Sequence, residues 1–153
     1  MIEAALIETG KTAFCRSVLD DLPEWFGIAE ARDAYASKAS VSPMVGCQLD
    51  GTMAGFASLA VQTEAAAEIH VMGVYRRFHR RGVGAALVDG AVRWAIRRGA
   101  RFLTVKTLAP THPDPHYAAT RRFYEAMGFA PLEIFPELWG AENPCLLMVR
   151  ALD

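Results

Sequence analysis

RRFHRRGVG, residues 76–84, crowds four arginines and a histidine against two glycines. The segment before it, AEIHVMGVY (67–75), reads as a strand, and from Gly82 the pattern changes to a helical period. Val83, Leu87, Ala91 and Trp94 fall on one side of that helix, while Asp89, Arg93 and Arg97 recur every four residues on another. Gly99 caps it, and RFLTVKTL (101–108) restarts as a strand. Strand, helix and strand in succession imply a right-handed crossover between parallel neighbours. The arginine stretch therefore lies where a strand ends and a helix begins. At such a place glycines let the backbone approach an anion, first-turn N–H groups point at it, and arginines clamp its outer oxygens. The anion is either a phosphorylated small molecule or a nucleic-acid backbone. A pyrophosphate fits better, because a nucleic-acid strand calls for basic residues spread along a groove with stacking aromatics between them.

Working outward, IEAALI (2–7) reads as a first strand, and Thr12 precedes AFCRSVLDDL (13–22), a helical pattern that stops near Pro23. LPEWFG (22–27) is a loop carrying Trp25 and Phe26, and IAEARDAYASKA (28–39) suits a second helix. MVGCQLDGTMAGFASLAV (44–61) splits at Asp50-Gly51 into two antiparallel strands. On the other side, APTHPDP (109–115) is a rigid loop leading into the helix HYAATRRFYEAMG (116–128). FAPLEIF (129–135) and NPCLLMVRAL (143–152) then flank PELWGAE as a closing hairpin. The sum is an α/β fold with a mixed central sheet: antiparallel in its N-terminal half, then a parallel strand-helix-strand crossover, with helices on both faces. The reading is a single domain over residues 1–153, and an all-parallel dinucleotide fold is excluded.

Composition narrows the partners. A net charge of −1 with 22% charged residues lacks the basic excess of a dedicated nucleic-acid binder. The positive charge is local, since 8 of the 16 lysines and arginines lie between Arg76 and Arg101. Cys15, Cys47 and Cys145 are odd in number and widely spaced, which reads as buried apolar residues in a reducing compartment. No apolar run approaches a bilayer span and no leader pattern opens the chain, so a cytoplasmic location is expected, with no membrane and no nucleic acid among the partners.

VYRRFHRRGVGAAL (74–87) resembles the acetyl-CoA-binding signature of the GNAT superfamily of N-acetyltransferases, which usually reads Gln or Arg, two residues, Gly, one residue, Gly or Ala. The matching positions are His79, Arg80, Arg81, Gly82, Val83 and Gly84, with His79 departing from the usual first residue. ATRRFYEAMGF (119–129) resembles the helix and strand that carry the family's catalytic tyrosine. The resemblance covers at least residues 44–130 and implies an acyl-CoA N-acyltransferase-like fold with acetyl-CoA as co-substrate. It implies cofactor binding by residues 79–84 and Ala85. Backbone amides at Gly73 and Val74 would hold the acetyl carbonyl, and Arg76 stands where a proline often follows.

Acetyl transfer to an amine needs the amine neutral, the oxyanion stabilised and the departing thiolate protonated. By resemblance Tyr124 donates that proton, and a phenol's ordinary pKa of about 10 keeps it protonated at neutral pH. The plain alternative is a core aromatic. Glu68 and His70 lie two apart on one strand and share a face. Glu68 is the first choice for general base, because many family members place a carboxylate on this strand, and His70 is the second. Two loops share proline, glutamate and tryptophan. By family resemblance they flank the acceptor side of the cleft, so Trp25, Phe26, Glu137 and Trp139, with Glu24, would receive a cationic amine. The spacing of His112 and His116 is not completed by other ligands, and no metal is expected. The reading is an enzyme that moves an acetyl group from acetyl-CoA to a primary amine of a small molecule or peptide, by direct attack in a ternary complex. A homodimer is allowed but not required. The alternatives are a non-catalytic acyl-CoA sensor and a nucleic-acid module built on the arginines.

Overall fold

The chain runs β1 (Ala4–Leu6), α1 (Lys11–Asp20), α2 (Ala29–Ala39), β2 (Met44–Leu49), β3 (Thr52–Val61), β4 (Ala66–Val74), α3 (Val83–Arg97), β5 (Phe102–Leu108), α4 (Pro115–Ala126), β6 (Ala130–Phe135), β7 (Cys145–Ala151) in a computed structural model that describes residues 2–153. Asp50 and Gly51 both adopt positive φ, 54° and 75°, the conformation a tight two-residue hairpin requires, and they turn β2 back onto β3. One sheet takes all seven strands in the order β1-β2-β3-β4-β5-β7-β6. Its first four strands are antiparallel, β4 and β5 are parallel through α3, and β7 pairs antiparallel with both β5 and β6. The closing hairpin thus extends the sheet with its second strand innermost, an order that the two apolar runs alone do not reveal.

Each face of the sheet has its own core. On one, Cys15, Val18, Leu19 and Leu22 of the α1 region and Ala36 and Ala39 of α2 pack on Met44, Phe56 and Val71. On the other, Val83, Leu87, Ala91 and Trp94 of α3, with Tyr124 of α4 and Phe129, pack on Val45, Leu59, Ile69, Leu103, Val105 and Met148. The helical stripe of Val83, Leu87, Ala91 and Trp94 is buried while Asp89, Arg93 and Arg97 are exposed, as the four-residue spacing dictates. All three cysteines are free and buried.

α4 begins one residue earlier than its apolar pattern, at Pro115, because Asp114 caps it. The Asp114 carboxylate accepts from the His116 and Tyr117 N–H groups at 2.8 and 3.2 Å. Asp114→Ala is expected to cost about 1 kcal/mol, read as a fall of roughly 2–4 °C in the midpoint of thermal unfolding.

Candidate active site

β4 pairs with β3 from Gly55↔Val74 to Val61↔Ala67, but with β5 only from Ala66↔Phe102 to Ile69↔Val105. β5 meanwhile runs on beside β7 as far as Leu108↔Cys145. The two parallel strands therefore part after Ile69. The cause is a bulge: pairing steps from Leu59↔Ile69 to Ser58↔Val71, leaving His70 as an extra residue that bends β4 away. From His70 to Val74, the edge of β4 that faced β5 has no strand beside it among the described residues. Behind it α1 presses close, since a Cβ on Gly73 would lie 2.9 Å from Val18 Cγ1.

β4 leads through a 3-10 turn, Arg76–Phe78, to the start of α3. Arg80 and Gly82 take left-handed conformations, φ 61° and 86°, and alternation of this kind turns successive N–H groups toward one side. No side chain caps α3 at Gly82, so its first-turn N–H groups are free to meet an anion. His79 Nε2 donates to the Val74 carbonyl at 2.8 Å, which ties this loop to the end of β4.

A Cβ on Gly84 would sit 3.1 Å from Phe123 Cζ, so the small residue lets α4 pack close while its backbone N–H stays in the first turn of α3. The four arginines also divide. Arg76 pairs with Glu24 and bonds the Asp21 carbonyl at 3.2 Å, and Arg81 pairs with Asp50 at 3.0 Å. Arg77 lies over the rings of Phe78 and Tyr75, and Arg80 makes no ion pair among the described residues. Arg77 and Arg80 are thus the two of the four without an ion pair among the described residues.

Glu68, on β4 just before the fork, is 8% exposed. Its Oε2 accepts from Lys106 Nζ at 2.6 Å, and its Oε1 lies 3.8 Å from His70 Nδ1. Lys106 is the first residue of β5 beyond the paired stretch, so this ion pair spans the point where the strands separate. Burial pushes the Glu68 carboxyl up, but the His70 imidazole and Lys106 ammonium outweigh it and hold the group below the usual carboxylate range. Tyr35 of α2 stands edge-on to the His70 ring at 5.5 Å, and burial raises its phenol. Sequence reading missed Lys106 and Tyr35. The signal for Lys106 was its alternation with buried Val105 and Thr107, which places it on the face of Glu68 once β4 and β5 are paired.

The α1–α2 loop crosses from one face of the sheet to a helix on the other. Trp25 Nε1 donates to Thr120 Oγ1 at 3.0 Å and to the His116 carbonyl at 3.3 Å, while the Tyr117 hydroxyl donates to the Trp25 carbonyl at 2.6 Å. The Trp25 ring also meets His79 at 6.0 Å, and Phe26 meets Tyr35 at 6.0 Å, so both aromatics expected on the acceptor side join this group. Glu137 and Trp139 do not. Both are exposed in the β6–β7 turn, and no ring contact or hydrogen bond links them to the Trp25 loop.

Tyr124 is 7% exposed, with its ring against Phe123 and Phe129. Three enclosed side-chain atoms lack partners among the described residues, Ser58 Oγ, Thr107 Oγ1 and His112 Nδ1. The Tyr124 hydroxyl makes no hydrogen bond among the described residues. Burial holds its phenol protonated, well above the ordinary tyrosine value.

The sequence matches the model of the Acetyltransferase (GNAT) family over residues 12–129. No curated protein sequence matches it. Among solved structures, a GNAT-family protein from Desulfovibrio desulfuricans superposes with a TM-score of 0.85 at 21% identity over 100% of both chains. The ribosomal-protein-S18-alanine N-acetyltransferase of Escherichia coli follows at 0.76 and 20%, over 100% of this chain and 95% of its own. A GNAT family acetyltransferase from Elizabethkingia anophelis, with acetyl-CoA bound, gives 0.74 and 16%, over 99% and 98%. A strand opened by a bulge onto a helix N-terminus lies at the centre of the region that the family model covers, and the chain belongs to the GNAT family of acetyltransferases.

Proposed function

We propose that the protein transfers an acetyl group from acetyl-CoA to a primary amine of a small molecule or peptide, by direct attack within a ternary complex. The observation that carries this reading is the open edge of β4 ending at the uncapped N-terminus of α3. One edge offers backbone hydrogen bonds to the amide-bearing arm of the co-substrate, and the other end offers N–H groups to its pyrophosphate. Val83, Gly84, Ala85 and the left-handed Arg80 and Gly82 hold the pyrophosphate. Gly73 and Val74 supply the amides near the acetyl carbonyl. Tyr124 protonates the departing sulfur, and the burial that keeps the phenol neutral also makes a thiolate placed beside it more basic. Glu68 and His70 supply the base. Phe26, whose ring meets Tyr35, and Trp25, whose ring meets His79, form the apolar wall for the acceptor.

Calorimetric titration with acetyl-CoA at two salt concentrations, followed by thiol release with a panel of primary amines, tests this reading. Micromolar binding with amine-dependent thiol release supports it; binding without release by any amine leaves an acyl-CoA sensor, and no binding overturns both. The division of the arginines adds an expectation. Arg80→Ala weakens acetyl-CoA binding by about tenfold, whereas Arg81→Ala, whose guanidinium is already paired with Asp50, changes it by about twofold or less.

A further inference from the structure

We propose that Lys106, Glu68 and His70 act as one unit, in which His70 takes the proton from the acceptor amine and Lys106 holds the Glu68 carboxylate beside the imidazole. The inference rests on the acetyl-transfer reading and reverses the order of the two candidate bases. Glu68 is poorly placed to meet an amine: it is 8% exposed, and Oε2 is occupied by Lys106 at 2.6 Å. A carboxylate so paired is a weak base. His70 has 32% of its side chain exposed and stands on the bulge where β4 leaves β5. Its Nδ1 lies 3.8 Å from Glu68 Oε1, and Nε2 is the ring nitrogen not engaged by the carboxylate. A carboxylate beside one imidazole nitrogen attracts the imidazolium that forms when the other nitrogen takes a proton.

The remaining groups around Glu68 add no charge. Tyr35 faces it from α2 and Cys145 from β7, and burial raises both, so they stay protonated at neutral pH. Lys106 and Glu68 form an ion pair of no net charge, and His70 is the remaining ionisable group beside them. In the step itself, a proton of the attacking nitrogen passes to His70 Nε2 as the N–C bond forms and the C–S bond breaks. The sulfur takes its proton from Tyr124, and both side chains recover by exchange with solvent. His70 is then the catalytic residue, and Glu68 and Lys106 are positioning residues.

The chain has four histidines, so the His70 imidazole can be followed by NMR titration alongside the pH profile of kcat/KM. Glu68→Gln is expected to move the His70 midpoint down, because the imidazolium loses its carboxylate. Lys106→Met moves it up, because the carboxylate no longer shares its charge, and Lys106→Arg keeps a cation and leaves it nearly in place as a folded control. The acidic limb of kcat/KM follows the imidazole in each variant, and His70→Gln abolishes that limb with a loss of about 10²- to 10³-fold in kcat. A His70 midpoint unmoved in both Glu68→Gln and Lys106→Met, or an acidic limb that persists in His70→Gln, overturns the proposal. Coupled titration with no turnover on any amine is a different failure: it sinks the transferase reading, and the base assignment with it, while the three groups remain a unit.

Discussion

Tyr124→Phe lowers the rate of acetyl transfer by about 10²- to 10³-fold, with acetyl-CoA affinity and folding stability nearly unchanged. The expectation follows from what the hydroxyl lacks. Among the described residues it makes no hydrogen bond, so its removal strands no partner, and the ring that packs on Phe123 and Phe129 stays. A buried residue that contributes only hydrophobic surface would lose little on becoming phenylalanine. A proton donor loses the proton it gives to the sulfur. The two roles separate cleanly: kcat from thiol release reports the chemistry, and denaturant unfolding reports the core. An unchanged kcat with unchanged stability would assign Tyr124 to packing alone.

Gly82→Val abolishes useful acetyl-CoA binding, with a loss of about 100-fold or more in affinity, and costs about 2 kcal/mol of stability. Space is not the reason. A Cβ at this position meets nothing nearer than Ile2 Cδ1 at 3.7 Å. The reason is φ 86°, a left-handed conformation that a β-branched residue resists, at the residue that aims the first N–H groups of α3. Relief of that strain turns the N–H groups away from a common point. Gly84 would be the poorer choice for this test, because a side chain there strikes Phe123 and loosens α4 whether or not a ligand is present. Calorimetry beside a thermal melt checks both quantities, and intact affinity in a folded Gly82→Val protein would remove the helix N-terminus from the binding site.

Local chemistry carried much of this fold into the sequence. Asp50-Gly51 specifies its own hairpin, Gly82 starts α3 and Gly99 ends it, and the spacing of Val83, Leu87, Ala91 and Trp94 selects the buried side. Glu68 and His70 were legible as a pair because a strand's alternation is set by its own backbone. What escaped was decided by contacts distant in the chain. The bulge at His70 exists only in the pairing of β3 with β4, and Lys106 becomes the partner of Glu68 only when β4 and β5 align. The reach of Trp25 to Thr120, 95 positions away, has no local cause. The ion pairs of the arginines escaped for the same reason, since sequence counts charges and cannot show that Glu24 and Asp50 come from elsewhere to meet them.

The fork between β4 and β5 has a thermodynamic meaning beyond its shape. Sheets are weakest at their margins, yet here a margin lies in the middle, with β3 on one side of residues 70–74 and, among the described residues, no strand on the other. A ligand that lies along that gap completes a row of the ladder, so part of its binding energy is strand pairing that the polypeptide left undone. Each occupied molecule is to that extent more fully folded than the free one, and the resistance of this domain to unfolding rises with the concentration of the compound that it consumes.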